Sequence, residues 1–318
     1  MSRPPRAWVL NLDAEHELEA RGSYAPTRAM RAIVERESQR LLDELVAPGD
    51  VVLSGDQATG GDARGLVGMA WSPTPRALAR LERAGALVQA APDTSALRAV
   101  NARPFAVGVR APLVAASFDK SVAATLDEAL ALLARPAPDG WLARRSFGAA
   151  GRGRRRIESG CRDATDRAWL AASLRLGPLV VEPWVRVTRE YTRSGWVHAD
   201  GAIEVARPCF QRVTRAGAWT ATAPAARGEV VRDDDARLAA AAEAAGIALA
   251  QAGYFGPFGI DAFRHRVPGA TREVLNPLSE INARFTMDWT TGLGERAEPL
   301  VEAVAPAAPE SRATGAID

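Results

Sequence analysis

The chain has 318 residues, of which 47% are hydrophobic and 25% are charged, enough to bury one or two sizeable cores, which excludes a disordered chain. Its 40 basic and 38 acidic residues give a net charge of +2, which argues against a generic polyanion binder. No run of about 18 apolar residues appears, and the first residues are too polar for a secretory signal, so we expect a cytoplasmic protein without a membrane segment. Two cysteines and three histidines fit neither a disulfide framework nor a zinc cluster of the usual spacing.

The basic residues are almost all arginine. Lys120 is the only lysine, and the other 39 basic residues are arginines, which we interpret as a coding bias. Where a fold normally uses a lysine, this chain is therefore expected to supply an arginine, which binds phosphate as a planar fork rather than as a point charge. Lys120 itself is expected at the surface, before a helix that begins near Ser121.

The first 100 residues alternate short apolar runs with helical patterns. Each strand is followed by a helix, which predicts an open α/β sheet. In chain order we predict a strand over Trp8–Leu12, a helix over Thr27–Val46, a strand over Val51–Leu53, a helix from Pro75 to Arg83 and a strand at Leu87–Val88.

From about residue 101 the strands are predicted in antiparallel pairs. The runs Trp141–Arg145 and Arg154–Ile157 flank a glycine-rich segment, Ser146–Gly153, which predicts a hairpin with a mobile loop. Further predicted elements are a helix over Ala164–Leu176, strands over Leu179–Val185, Tyr191–Val197 and Ala202–Val213, and a helix over Asp233–Gln251. The Pro/Ala-rich residues 305–318 are predicted to be a flexible tail.

The densest chemical signal lies in a second predicted hairpin, whose turn falls at residues 268–271. Partners in such a hairpin have residue numbers with a constant sum, so Asp261 and Glu280 should face each other. A strand has a period of two, so Asn282 and Arg284 should share the face of Glu280, while Ile281 and Ala283 point into the core. Two carboxylates and an amide oxygen are ligands of the kind that Mg²⁺ takes. The alternative is a solvated hairpin face with a salt bridge from Arg284.

These residues resemble the end of the catalytic domain in the ATP-grasp superfamily. Its members carry an Asp on one strand and a Glu-x-Asn on the next, which here are Asp261, Glu280 and Asn282, and often a following Arg, here Arg284. The resemblance implies that the first three bind the metal ion. Arg284 would then stabilise the transferring phosphoryl group or an oxyanion as the catalytic residue.

Upstream residues match the other landmarks of the family in the same order. Arg103 and Arg144 stand where the family has two phosphate-binding lysines. The adenine-binding segment resembles Glu182-Pro183-Trp184-Val185, and Glu190 stands where an acidic residue holds the ribose. The nucleotide-binding residues implied by the resemblance are Arg103, Arg144, Ser146, Gly148 and Gly151 of the glycine-rich loop, Glu182, Trp184, Val185 and Glu190.

The resemblance implies an α/β fold of the α+β type with three parts. An open α/β domain over residues 1–100 would precede an ATP-grasp domain over 101–304. Within the latter, a lid subdomain over about 118–183 would face a central antiparallel sheet.

What the resemblance implies about function is an ADP-forming carboxylate-amine ligase that uses ATP with Mg²⁺ or Mn²⁺. Its partners would be a small-molecule carboxylate and an amine, and a homodimer is compatible with this reading. Nucleic acid is not expected as a partner, since no stacking aromatics accompany the basic run Arg152–Arg156. An ATP-grasp kinase or phosphotransferase, or a non-catalytic nucleotide-binding protein, are the alternatives.

Overall fold

The computed structural model describes residues 3–20, 24–39, 41–54, 57–59, 61–110, 119–148, 152–161, 163–213, 219–226, 228–267 and 271–303. The sequence predictions that lie partly or wholly outside these ranges include residue 40 of the predicted helix over 27–46, residues 149–151 of the glycine-rich loop, with Gly151, most of the turn at 268–271, and the tail over 305–318.

The N-terminal part of the chain forms a five-stranded sheet. Its strands are β1 (Arg6–Val9), β2 (Val51–Ser54), β3 (Gln57–Thr59), β4 (Val67–Ala70) and β5 (Leu87–Val88), in the order β3-β2-β1-β4-β5. All neighbours are parallel except β2 and β3. The helices between these strands are α1 (Ala14–Glu19), α2 (Arg28–Gln39), α3 (Leu42–Leu45) and α4 (Pro75–Arg83). Two more helices follow, α5 (Thr94–Asn101) and α6 (Arg103–Gly108), and their buried residues lie in a different core, with Leu278 and Ile281. Because β1 lies in the middle, its four residues are all buried; three are apolar, and the fourth, Arg6, is paired with Glu298.

The helix predicted over residues 27–46 is observed as two helices, α2 and α3. The Leu41 amide donates to the carbonyl of Ser38 at 2.9 Å, which makes a tight turn between them. The turn redirects the chain so that Leu41 and Leu45 are buried in the core beside β1. The physical reason is burial of these leucines, which outweighs continuation of the helix.

A four-stranded antiparallel sheet follows. Its strands are β6 (Ser121–Ala123), β7 (Trp141–Arg145), β8 (Arg154–Ile157) and β9 (Leu179–Pro183), in the order β6-β9-β7-β8. Two helices, α7 (Leu126–Leu133) and α8 (Ala164–Leu174), pack their apolar side chains on it. Thr125 and Glu128 form a capping box that starts α7, so the residues after Lys120 form a strand and not the predicted helix.

The remaining strands form the central, antiparallel sheet. They are β10 (Arg186–Val197), β11 (Ile203–Val205), β12 (Cys209–Val213), β13 (Trp219–Pro224), β14 (Gly256–Arg266) and β15 (Glu273–Asn282), in the order β13-β12-β10-β14-β15, with β11 also on β10. Helix α9 (Arg232–Gln251) packs against this sheet, and α10 (Trp289–Leu293) and α11 (Ala297–Glu302) end the described chain. The strand predicted over 202–213 is interrupted at Ala206–Pro208, where Pro208 has no N–H to donate.

The hairpin of β14 and β15 has the predicted register only at the end away from its turn. Asp261 pairs with Glu280 and Gly259 with Asn282, as the constant sum predicts. After a register shift Phe263 pairs with Asn276, so three residues of β15, at positions 277–279, lie opposite Ala262 alone. This is a β-bulge, and Pro277, which cannot donate to the ladder, lies within it.

The N-terminal sheet packs against the last described residues of the chain, between 285 and 301. Trp8 and Trp71 share an apolar core with Phe285, Trp289 and Leu300. The Phe285 amide donates to the Trp71 carbonyl at 3.1 Å, which joins the segment after β15 to the end of β4. In the part of the chain that the structure describes, no helix has the length and apolar character to cross a bilayer.

Candidate nucleotide and metal site

A cavity of about 960 Å³ lies between the four-stranded sheet and the central sheet. One wall comes from β7 to β9 and the segment that follows β9, and the other from β10 and β12 to β15. Seven residues predicted to bind nucleotide or metal line this cavity: Arg144, Glu182, Trp184, Val185, Glu190, Asp261 and Glu280. The structure therefore brings together residues that are up to 136 positions apart in the sequence.

The two carboxylates of the predicted metal site lie on neighbouring strands. Asp261 accepts hydrogen bonds from Asn282 Nδ2 at 3.2 Å and from Gln211 Nε2 at 3.3 Å. Burial and the nearby Glu280 carboxylate raise the pKa of Asp261 to about 7. Ile281 and Ala283 are buried in the core, as the strand period predicts.

Glu280 is held by two arginines. Arg144 Nη2 donates to its Oε2, and Arg103 Nη2 lies 3.1 Å from its Oε1. Burial alone would raise the pKa of Glu280, but the two guanidinium groups outweigh burial and lower it to about 2. Arg144 also lies 3.4 Å from Glu182, and because both carboxylates outweigh the effect of burial, the pKa of Arg144 is raised.

The donor set fits a hard divalent cation that also takes phosphate oxygens. Among the described residues no group of three His, Cys, Asp or Glu side chains is arranged to hold a metal ion. Asp261 and Glu280 would supply two carboxylates, which leaves further positions of a Mg²⁺ shell for phosphate and water. The third predicted ligand, Asn282, turns its Nδ2 toward Asp261, and its Oδ1 accepts from Arg284. The raised pKa of Asp261 reflects a buried carboxylate that a cation would stabilise.

Arg103 does not line the cavity. It is the first residue of α6, and its guanidinium donates to the carbonyl oxygens of Arg145, at 2.9 Å, and Gly148. Together with the Glu280 contact, these bonds hold the start of the glycine-rich loop beside β15. Burial lowers the pKa of Arg103, with Glu280 acting in the opposite direction.

The described part of the glycine-rich loop also lies outside the cavity lining. Ser146 Oγ donates to the Pro178 carbonyl at 2.6 Å, so its hydroxyl points toward the start of β9. The Gly148 carbonyl accepts from Arg103, and Gly148 has a φ of 153°, where an added Cβ would lie 2.6 Å from the Arg152 carbonyl oxygen. Glycine is required at this position by the close approach of the backbone.

The residues predicted to hold the adenosine part also line the cavity. Glu182 is 3% exposed, and its Oε2 is buried without a hydrogen-bond partner. The Trp184 amide donates to the Gly140 carbonyl at 2.9 Å, and its ring lies under the Arg156 guanidinium at 5.1 Å. Burial raises the pKa of Glu190, while Arg154 lowers it.

Arg284 contacts the N-terminal part of the chain. Its Nε and Nη2 donate to Glu15 Oε1 at 2.9 and 2.6 Å, and Nη2 also donates to Asn282 Oδ1 at 3.0 Å. The guanidinium lies over the Trp71 ring at 5.3 Å. Sequence reasoning missed Glu15, although it follows β1 at the edge where the strands of an open α/β sheet place functional groups.

Lys120 is the second residue that sequence reasoning missed. Its Nζ donates to the carbonyl oxygens of Leu278 and Ser279, at 2.6 and 2.9 Å, so the expectation of a surface lysine is wrong. Burial lowers its pKa to about 8, although the neighbouring Glu182 carboxylate acts in the opposite direction. The one available signal was composition, since a chain with 39 arginines carries a single lysine.

Solved structures of similar fold cover nearly the whole chain. The D-cycloserine synthetase DcsG is 15% identical with a TM-score of 0.54, over 91% of this chain and 95% of that one. The D-alanyl-alanine synthetase A of Vibrio cholerae O1 biovar eltor is 11% identical with a TM-score of 0.53, over 95% of this chain and 97% of that one. The biotin carboxylase domain of Hydrogenobacter thermophilus 2-oxoglutarate carboxylase, in complex with MgADP and bicarbonate, is 13% identical with a TM-score of 0.52, over 90% of this chain and 65% of that one.

Sequence comparison adds nothing to the structural likeness. No protein-family model matches the chain, and no curated protein matches it. The three structural likenesses extend over 90% or more of this chain and concern its fold. The chain has the ATP-grasp fold.

Proposed function

We propose that this protein is an ADP-forming ligase that activates a small carboxylate with ATP and joins it to an amine. The observation that carries the proposal is the pairing of Asp261 with Glu280 beside Arg144 inside the cavity. Two of the similar structures are named as synthetases, and a third holds MgADP with bicarbonate. These names support the reaction class and leave the substrates of this chain open.

In the proposed complex ATP lies in the cavity with its adenine at residues 182–185. Backbone groups of this segment bind the base, and the Glu190 carboxylate accepts from the ribose hydroxyls. Arg144 contacts the phosphates as a charge-assisted bidentate donor. Asp261, Glu280 and Asn282 would hold Mg²⁺, which neutralises charge on the β- and γ-phosphates when bound.

The proposed chemistry has two steps. A substrate carboxylate oxygen attacks the γ-phosphorus, the bond between this phosphorus and the β–γ bridging oxygen breaks, and ADP leaves. The amine nitrogen then attacks the acyl carbon, the bond to the phosphate oxygen breaks, and phosphate leaves as the nitrogen loses a proton. Arg284 supplies positive charge at the junction of the central sheet and the N-terminal part, held in orientation by Glu15.

The test is ADP release by the purified protein with pairs of small carboxylates and amines. The proposal predicts release that requires both members of a pair, with one phosphate per ligated product. Product formed from a single acceptor would instead identify a phosphotransferase, and no release above background with any pair contradicts the ligase. The Glu280→Gln variant is the control for contaminating ATPase.

The remaining parts of the proposal concern partners and location. The expected partners are the two small-molecule substrates, and a homodimer is part of the hypothesis. We also propose a cytoplasmic location, which agrees with ATP as the proposed co-substrate and with the free, buried Cys161 and Cys209.

A further inference from the structure

The only lysine of the chain lies at the contact between the four-stranded sheet and the central sheet. Lys120 immediately precedes β6, and its ammonium donates to the carbonyl oxygens of Leu278 and Ser279 on β15, at 2.6 and 2.9 Å. These two residues directly precede Glu280. Lys120 does not line the cavity, whereas Ser279 and Glu280 do.

The bulge in β15 explains why these carbonyls need a donor. Consecutive carbonyl groups of a regular strand point to opposite sides, so one ammonium cannot bind two in a row. Here it does, because residues 277–279 leave the ladder opposite Ala262. Carbonyls that leave the ladder in a half-buried position must find another donor, and Lys120 provides it.

A lysine suits this position better than an arginine. The ammonium is compact and has three donors that can be directed separately, whereas the guanidinium is a larger planar fork. The ammonium fits this arrangement, because both carbonyl oxygens lie within 2.9 Å of the single Lys120 nitrogen. The other 39 basic residues of the chain are arginines, so a lysine stands only at this position.

We propose that Lys120 is a positioning residue that holds the β15 bulge and thereby directs the Glu280 carboxylate into the cavity. Bulges beside functional sites re-aim a side chain, and this one lies between Asn276, which keeps the outer register, and Glu280, which pairs with Asp261. The same two hydrogen bonds join the residue before β6 to β15. The inference rests on the proposed function only for the role of Glu280 as a metal ligand.

The test compares ADP binding with and without metal in Lys120→Met, which keeps an unbranched chain and removes the ammonium. Isothermal titration with ADP in Mg²⁺ should give a Kd raised by about tenfold, because Glu280 is misdirected. In EDTA the Kd for ADP should change by less than about twofold, since Lys120 does not reach the nucleotide. Lys120→Arg should resemble the Met variant more than the wild type.

The control variant is Arg135→Met, a nearby cation that pairs with exposed Asp119 and does not touch β15. It should leave both Kd values unchanged. An equal loss of affinity with and without Mg²⁺ in Lys120→Met overturns the proposal, because a direct phosphate contact or a general structural defect would have that effect. Unchanged affinity in both conditions overturns it as well.

A second readout does not depend on nucleotide. Amide hydrogen exchange of the peptide covering residues 275–282 should be faster in Lys120→Met than in the wild type and unchanged in Arg135→Met. If the wild type binds no nucleotide, the proposed function fails while the exchange result still decides whether Lys120 holds the bulge. If Lys120→Met does not fold, Lys120→Gln replaces it under the same criteria.

Discussion

Arg144 and Arg103 balance the charge of Glu280 by different routes, which gives them different roles. Arg144 faces the cavity, and its guanidinium is shared between Glu280 and Glu182. Arg103 faces the glycine-rich loop and donates hydrogen bonds to two backbone carbonyls. In the proposed complex Arg144 would receive phosphate charge in the cavity, whereas Arg103 would keep the loop and Glu280 in place.

The first prediction separates Arg144 from its neighbour. Arg144→Ala should raise the Kd for a non-hydrolysable ATP analogue by about tenfold, because a charge-assisted contact of about 1.5 kcal/mol is lost. Arg145→Ala is the matched control: its Nε donates to Ser173 Oγ at 2.9 Å and its guanidinium lies over Trp169, on the opposite face of β7. Equal effects of the two substitutions in isothermal titration would contradict the assignment of Arg144 to the phosphates.

The second prediction concerns Glu280. Glu280→Gln keeps the size of the side chain but removes the charge that a metal ion would use, so turnover should fall by at least about a hundredfold. Glu273→Gln, an exposed residue of the same strand, should leave turnover unchanged. Steady-state ADP release checks both, and wild-type turnover in Glu280→Gln would favour the solvated hairpin face.

At the scale of elements, periodicity predicted which residues share one face of a strand but not where the strand departs from regular pairing. The pairing of Asp261 with Glu280 and the burial of Ile281 and Ala283 followed from the residue count alone. The bulge at residues 277–279 could not be predicted from the residue count. It contains Pro277, which cannot donate to the ladder, and its carbonyls accept from Lys120, which is distant in the sequence. Likewise, the segment predicted as one helix over 27–46 is helical, but it is divided into α2 and α3, which follows from burial of Leu41 beside β1.

The third prediction concerns Asp50, which joins the start of β2 to β1. Its buried carboxylate accepts from the amides of Arg6 and Ala47, from Trp8 Nε1 and from Arg3. Burial alone would raise the pKa of Asp50, but these donors outweigh it and lower the pKa below 3.8. Asp50→Asn should therefore reduce the free energy of unfolding at pH 7 by about 2 kcal/mol, because an amide cannot accept from all of these donors.

The pH dependence of this effect has a definite sign. A carboxyl group whose pKa is lowered by folding stabilises the protein above its unfolded-state pKa, and this stabilisation is lost as the pH falls through the folded-state value. The difference between wild type and Asp50→Asn should thus be constant near neutral pH and shrink below about pH 3.8. Denaturant unfolding measures it, with the exposed Asp62→Asn as control; a difference that grows on acidification contradicts the assignment.

At the scale of the whole molecule, the ordered motifs predicted the ATP-grasp fold, since their order along the chain matches the order of the sheets. What they could not predict are contacts between distant segments. The Arg284–Glu15 pair joins residues 269 positions apart and the Lys120–Leu278 hydrogen bond joins residues 158 apart. Neither pair shares a local pattern, because each joins parts of the chain that are distant in the sequence and meet only in the folded protein.

The central claim is that the cavity between the two sheets binds a Mg²⁺-nucleotide. Thermal unfolding of the wild type tests it most directly, because a ligand that binds only the native state stabilises it by about 2.7 kcal/mol at a hundredfold excess over Kd. For a chain of this length that corresponds to a rise in Tm on the order of 4 °C. We predict such a rise with ATP and Mg²⁺ and a smaller one in Arg144→Ala. An unchanged Tm with every purine nucleotide at millimolar concentration would contradict the claim.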